Sequence, residues 1–170
     1  MTDLVKRSKK GDKEAFAQLI DQNRQMLYNT ALLVLRQEDD ALDALQDAIL
    51  ACWENLPSLR KDRYFKTWLV KILLNKCRDV QRGKSHFAYV EELPESGDEP
   101  YWDTSMDVRR TMDKLGENDQ LLLSLFYYDD FSVRQIADAL SLSEGAVRTR
   151  LTRSRERFKK LYVQEKGECL

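Results

Sequence analysis

The 170-residue chain has room for one ordinary domain or two small ones, and its 34% charged residues with six Gly and three Pro favour helices over sheets. A formal net charge of -1 excludes a protein that grips nucleic acid by bulk basicity, and three scattered cysteines without a CxxC exclude a disulfide framework and fit a reducing compartment. The opening MTDLVKRSKKGDKEAF lacks a signal-peptide apolar core, and runs such as Ala48–Trp53 and Leu121–Leu123 are too short to cross a bilayer, so a soluble cytoplasmic protein is expected.

In chain order, Asp12 is placed to cap a helix carrying Phe16, Leu19 and Ile20 on one face. Leu27, Ala31, Leu32 and Leu35 continue that spacing beyond Asn23, and Gln37–Asp40 reads as a polar break. Ala41, Leu42, Leu45, Ile49, Cys52 and Trp53 line a further amphipathic helix that Pro57 ends. A short polar loop, Ser58–Arg63, leads into a helix from about Tyr64 to Arg82, with Phe65, Trp68, Leu69, Ile72, Leu73, Cys77 and Val80 inward. Residues 83–105 break every period and hold two Gly and two Pro, as a linker does. Two aromatics, Tyr101 and Trp102, lie near its end. Val108, Met112 and Leu115 then form one stripe, and Leu121, Leu122, Leu125 and Phe126 the next. A short helix, Ser132–Leu140, precedes a longer one from Ser143 to about Tyr162.

The near-neutral charge hides an uneven distribution. Residues 1–83 carry 15 Lys/Arg against 12 Asp/Glu, residues 84–105 carry 1 against 6, and residues 106–170 carry 12 against 11. The expected architecture is all-α. Two small helical domains, 1–83 and 106–170, are joined by a flexible acidic linker, 84–105, and the C-terminal domain is a helix-turn-helix.

The helix-turn-helix reading rests on SVRQIADALSLSEGAVRTRL, Ser132–Leu151. Ser132 and Gln135 have capping-box spacing, Ile136, Ala137 and Leu140 face inward, and Ser143 is placed to cap the second helix. The stripe of that helix is Val147, Leu151, Phe158 and Leu161. At 100° per residue the opposite side holds Gly145, Thr149, Thr152, Arg153 and Glu156, with Arg148 at its flank. Arg148, Thr149, Thr152 and Arg153 are therefore the expected readers of duplex DNA, because the first turns of such a helix enter the major groove. From Ser143 to Lys160 there are 7 basic and 2 acidic residues, which suits phosphate contacts. The usual turn glycine is Ser141 here.

A second basic track runs from Arg60 to Lys84, with 9 cations and 2 carboxylates interleaved with Tyr64, Phe65 and Trp68. Cations neutralise phosphates and aromatic faces stack bases, a combination suited to single-stranded nucleic acid. The bland reading makes Phe65 and Trp68 core residues, leaving the polar groups as contacts.

No catalytic constellation is present. The one histidine, His86, lies in the linker without a Ser or Cys partner, and there is no GxxxxGK[ST], GxGxxG or metal-ligand spacing. Neither cofactor, metal nor small-molecule substrate is expected. A dimeric DNA-binding regulator and a helical adaptor are the alternative readings; the first should bind duplex unaided, and the second should tolerate charge reversal at Arg148 and Arg153.

Nearly the whole chain resembles the extracytoplasmic-function sigma factors. GAVRTRLTRSRERF, Gly145–Phe158, is similar to the family's GTVxSRLxRAR pattern in the domain that reads the minus-thirty-five element. The resemblance places promoter contacts at Arg148, Thr149, Thr152 and Arg153. DALDALQDAILACWENL, Asp40–Leu56, resembles the family's core-binding helix, which implies that Asp43, Gln46 and Asp47 face RNA polymerase. Tyr64–Lys84 resembles the segment that melts and reads the minus-ten element. There the resemblance implies a flipped-base pocket in the loop at about Ser58–Lys66, with strand contacts at Arg60, Lys61, Arg63, Lys66, Lys71, Asn75, Lys76 and Arg78. The acidic linker is similar to the family segment that threads toward the polymerase active centre. LGEND, Leu115–Asp119, departs from the family's Leu-Pro, and Asp129–Phe131 from its Glu-Gly-Leu-like turn, which puts helix boundaries there in question. The implied function is promoter-specific transcription initiation under envelope or extracellular stress. The implied partners are core RNA polymerase, promoter DNA and an anti-sigma factor.

Overall fold

The structure is a computed structural model that describes the backbone of residues 1–87 and 105–168 and the side chains of residues 1–83 and 105–164. The linker residues between, with Tyr101 and Trp102, and Cys169 lie outside the described residues. The chain divides into two compact units, Met1–Asp98 and Glu99–Leu170, and no strand occurs among the described residues.

The N-terminal unit is built from α1 (Thr2–Lys9), α2 (Lys13–Asp21), α3 (Arg24–Leu35), α4 (Glu38–Asn55) and α5 (Phe65–Phe87). Helix α1 escapes the sequence reading because it buries only Val5 and Ser8, too few for a visible period. Gly11, at φ +89°, makes the tight turn into α2. Asp12 then caps α2, accepting from the Ala15 amide at 2.9 Å. Its carboxyl is held below the usual 3.8, first by that backbone amide and then by Arg7.

Helix α3 packs against α4 and α5 and buries Met26, Leu27, Ala31, Leu32 and Leu33. The expected break at Gln37–Asp40 is shorter. Arg36 turns left-handed at φ 57°, and α4 starts at Glu38, where three consecutive carboxylates meet the positive end of the helix. The buried face of α4 is Ala41, Ala44, Leu45, Ala48 and Cys52, and its small alanines face α3 and α5, which pack on this helix. Leu42, expected inward, is instead exposed, because burial follows the alanine row.

After Asn55 the backbone makes two 3-10 turns, Leu56–Ser58 and Asp62–Tyr64. The loop Ser58–Arg63 is less polar than expected, since Leu59 within it is buried. Helix α5 buries Phe65, Leu69, Val70, Leu73, Leu74 and Cys77. It runs past the expected end at Arg82, through Gly83 and His86, to Phe87. Burial pushes the Cys52 and Cys77 thiols up to about 12.

The C-terminal unit comprises α6 (Met106–Asp113), α7 (Glu117–Leu123), α8 (Val133–Leu140) and α9 (Glu144–Glu168), with α6, α7 and α8 all packing on α9. In the Leu115–Asp119 stretch, Gly116 takes the N-cap of α7, and buried Gln120 donates to the Leu115 carbonyl at 2.8 Å. Helix α7 widens into a π turn at Ser124–Tyr128 before Asp130 reverses the chain at φ 57°. The core joins Met112, Leu122, Leu125, Phe131, Ile136, Ala139, Val147 and Leu151.

Candidate nucleic-acid interface

The turn that aims α9 is built by local chemistry. Ser132 Oγ accepts from the Gln135 amide at 3.3 Å while Gln135 Oε1 accepts from the Ser132 amide at 2.9 Å, so α8 begins on a complete capping box. Ser141 ends α8 in the left-handed region, φ 57° and ψ 45°, the conformation a glycine takes there at no steric cost. Ser143 Oγ accepts from the Ala146 amide at 3.1 Å and starts α9.

Val147 and Leu151 are buried, and Phe158 and Leu161 are half-buried, so the expected stripe holds α9 to its unit. Ser154, which the stripe did not include, is fully buried. Its hydroxyl donates to Asp119 at 2.6 Å, and Asp119 also accepts from Arg157. One carboxylate on α7 thus pins two successive turns of α9.

Arg148, Thr149, Thr152 and Arg153 are all exposed. Helical geometry sets the two threonines between the two arginines, which stand about 7.5 Å apart along the axis. Arg148 pairs with Glu144 at 2.8 Å, one turn earlier. Thr149 and Thr152 donate their hydroxyl protons to the Gly145 and Arg148 carbonyls, each at 3.0 Å. Their oxygens therefore present lone pairs outward, suited to an amino group on a base edge. Arg155, one of the seven basic residues between Ser143 and Lys160, is exposed and also packs on aromatic rings. Its guanidinium lies 5.0 Å from the Phe126 ring centroid and 5.5 Å from that of Tyr127, at the edge of an apolar groove of about 300 Å³. Val108, Met112, Leu123 and Phe158 contribute to the groove wall.

In the N-terminal unit, Lys71, Asn75 and Arg78 share one face of α5 with half-buried Trp68. Arg78 donates to Asn75 Oδ1 at 2.8 Å. Lys66 and Lys76, half-buried like Arg78, fall more than a quarter-turn from each of Lys71, Asn75 and Arg78, so helical geometry does not bring them together with those three. Phe65 is fully buried, with its ring 6.3 Å from Trp68, and has no face to offer a base. Arg60, Lys61 and Arg63 are exposed on the loop before α5, and Arg63 lies over the Tyr64 ring at 4.8 Å.

Asp43, Gln46 and Asp47 are exposed together on α4, opposite its alanine row. Leu50 sits on the same face at 62% exposure, a large apolar group set among acids. The sequence carried that signal: Leu50 follows Asp47 and Gln46 by three and four residues. No group of three or more metal-ligating side chains, and no helix long and apolar enough to cross a membrane, occurs among the described residues.

Two family matches cover most of the chain: sigma-70 region 2 over residues 19–87 and sigma-70 region 4 over residues 105–158. The chain is 32% identical over 154 residues to the ECF RNA polymerase sigma factor SigM of Mycobacterium tuberculosis, covering 89% of this chain and 79% of that one. It is 27% identical over 175 residues to SigW of Bacillus subtilis, covering 92% and 93%. Among solved structures it is similar to CnrH in complex with the cytosolic domain of CnrY, at TM-score 0.67 and 27% identity, covering 94% and 95%. The sigma factor RpoE of Bartonella quintana, solved with the anti-sigma factor NepR, shares the fold at TM-score 0.68 and 22% identity, covering 86% and 95%. A helix-turn-helix in the C-terminal unit, a second all-helical unit and these relatives agree: the chain belongs to the extracytoplasmic-function family of RNA polymerase sigma factors.

Proposed function

We propose that the chain directs RNA polymerase to promoters through three surfaces with separate tasks. Arg148, Thr149, Thr152 and Arg153 read upstream duplex. The loop Ser58–Lys66 and the α5 face of Lys71, Asn75 and Arg78 hold the melted strand. Asp43, Gln46 and Asp47, with Leu50 among them, dock on core polymerase. The domains carrying these tasks are 1–83 and 106–170, with 84–105 between them. Being a transcription factor rather than an enzyme, the chain acts by positioning, and the chemistry belongs to the polymerase.

The observation that carries this reading is the solvent face of α9, where two arginines flank two threonines while buried Val147, Leu151 and Ser154 fix the helix from behind. An arginine donating two bonds to guanine contributes about 1–3 kcal/mol of discrimination. Reconstituted transcription with core polymerase and genomic fragments tests it: discrete start sites sharing an upstream element are expected, and none without the chain. Start sites unaffected by its addition would overturn the proposal.

We also propose that the protein works in the cytoplasm, answers an envelope or extracellular stress, and is restrained by an anti-sigma protein. Support for the restraint comes from CnrH and RpoE, solved with CnrY and with the anti-sigma factor NepR respectively. Co-purification of a polypeptide that blocks run-off transcription tests that partner.

A further inference from the structure

Lys9 ends α1, ahead of the stretch that matches sigma-70 region 2. Its ammonium nevertheless reaches the loop before α5. Nζ donates to the Leu59 carbonyl at 2.5 Å and to Asp62 Oδ1 at 2.5 Å. The pair is not a solvated surface contact, since the Lys9 side chain is 22% exposed and that of Asp62 16%. Leu59 is itself buried, and the two acceptors bracket exposed Arg60 and Lys61. One ammonium thus closes the base of a short loop and leaves two cations at its tip.

The same contact alters the electrostatics. The Arg60–Lys84 track contains two carboxylates, Asp62 and Asp79. Asp79 is met by Arg82 on its own helix at 3.6 Å. Asp62 is met by Lys9 from outside the track. Without that cation, a carboxylate would stand beside Arg60, Lys61 and Arg63, where it repels phosphate.

We propose that Lys9 is a positioning residue for melted-strand capture, holding the Leu59–Asp62 loop in shape and cancelling its one acidic charge. The inference rests on the reading of that loop as a strand-binding element.

The test uses holoenzyme and a fluorescent single strand bearing the non-template sequence at the start site of a promoter identified by run-off transcription. Lys9→Met should weaken strand binding about tenfold, the scale of losing bonds to a charged donor. It should also lower the preference for this strand over a scrambled one, with affinity for core polymerase unchanged. Lys9→Arg, long enough to donate to both acceptors, should retain parental binding. Parental binding by Lys9→Met, equal loss in Lys9→Arg, or loss of core affinity alongside strand binding would each overturn the proposal. The double variant Arg60→Ala/Lys61→Ala separates the two layers. If it weakens strand binding while Lys9→Met does not, the positioning role fails and the strand-binding loop stands. If neither weakens it, the reading of the loop fails as well.

Discussion

Arg153 stands exposed beside Thr149 and Thr152, with the buried stripe of α9 behind it. Arg153→Ala should reduce promoter-specific run-off transcription about tenfold or more, on the scale of one good base contact. Core-polymerase affinity should be unchanged, and unaltered run-off would remove Arg153 from the reading face. At Asp12 the observable is stability. Its carboxyl is held below 3.8 by the Ala15 amide and by Arg7, so the folded state favours the ionised form. That contribution is present above 3.8 and is lost as pH falls through the lower folded value. Asp12→Asn should therefore lose less stability than the parent between neutral pH and acid below that range, as urea melts at the two conditions would record.

Among the elements, the α8–α9 corner was the most legible in the sequence. Ser132, Gln135 and Ser143 act on amides within three residues of themselves, so spacing alone specifies their bonds. The exposed face of α9 followed equally well from helical period. Three of its other residues did not. Ser154 and Arg157 meet Asp119 from 35 and 38 residues away, and Arg155 meets rings contributed by the π turn. The Lys9–Asp62 pair spans 53 residues, beyond the reach of any local pattern. Leu42 was misplaced because apolar period could not rank leucine below alanine, whereas the alanine row is what faces α3 and α5. At the corner itself, Ser141 holds a left-handed backbone that strains any side chain. Ser141→Gly should raise the unfolding free energy by about 0.5–1 kcal/mol in denaturant titration. A loss of stability would show that the serine side chain compensates for its own strain.

At the scale of the molecule, net charge -1 leaves little long-range pull toward DNA, and each cationic face is small. The free chain should scarcely shift promoter duplex in a gel until core polymerase is added. The affinity of the holoenzyme should then fall linearly in log–log form with salt, as phosphate-bound counterions are released. A tight shift by the chain alone would favour the self-sufficient regulator that its helix-turn-helix also fits. The division into two helical units was legible because the acidic, Gly- and Pro-containing stretch interrupts every apolar period. The position of the break was less so: α5 persists through Gly83 to Phe87, since a single glycine costs an established helix only about 1 kcal/mol.

Cys52 and Cys77, sealed in the N-terminal unit and pushed up to about 12, offer almost no nucleophilic sulfur at neutral pH while that unit stays closed. They amount to an internal clock. In a Cys169→Ser background, uptake of a thiol-specific alkylating reagent should proceed at the pace at which the N-terminal helices part, and the proposed docking of α4 on polymerase predicts that it slows in the holoenzyme. Immediate labelling of both sulfurs would mean that this half of the protein breathes far more freely than its tight interior implies.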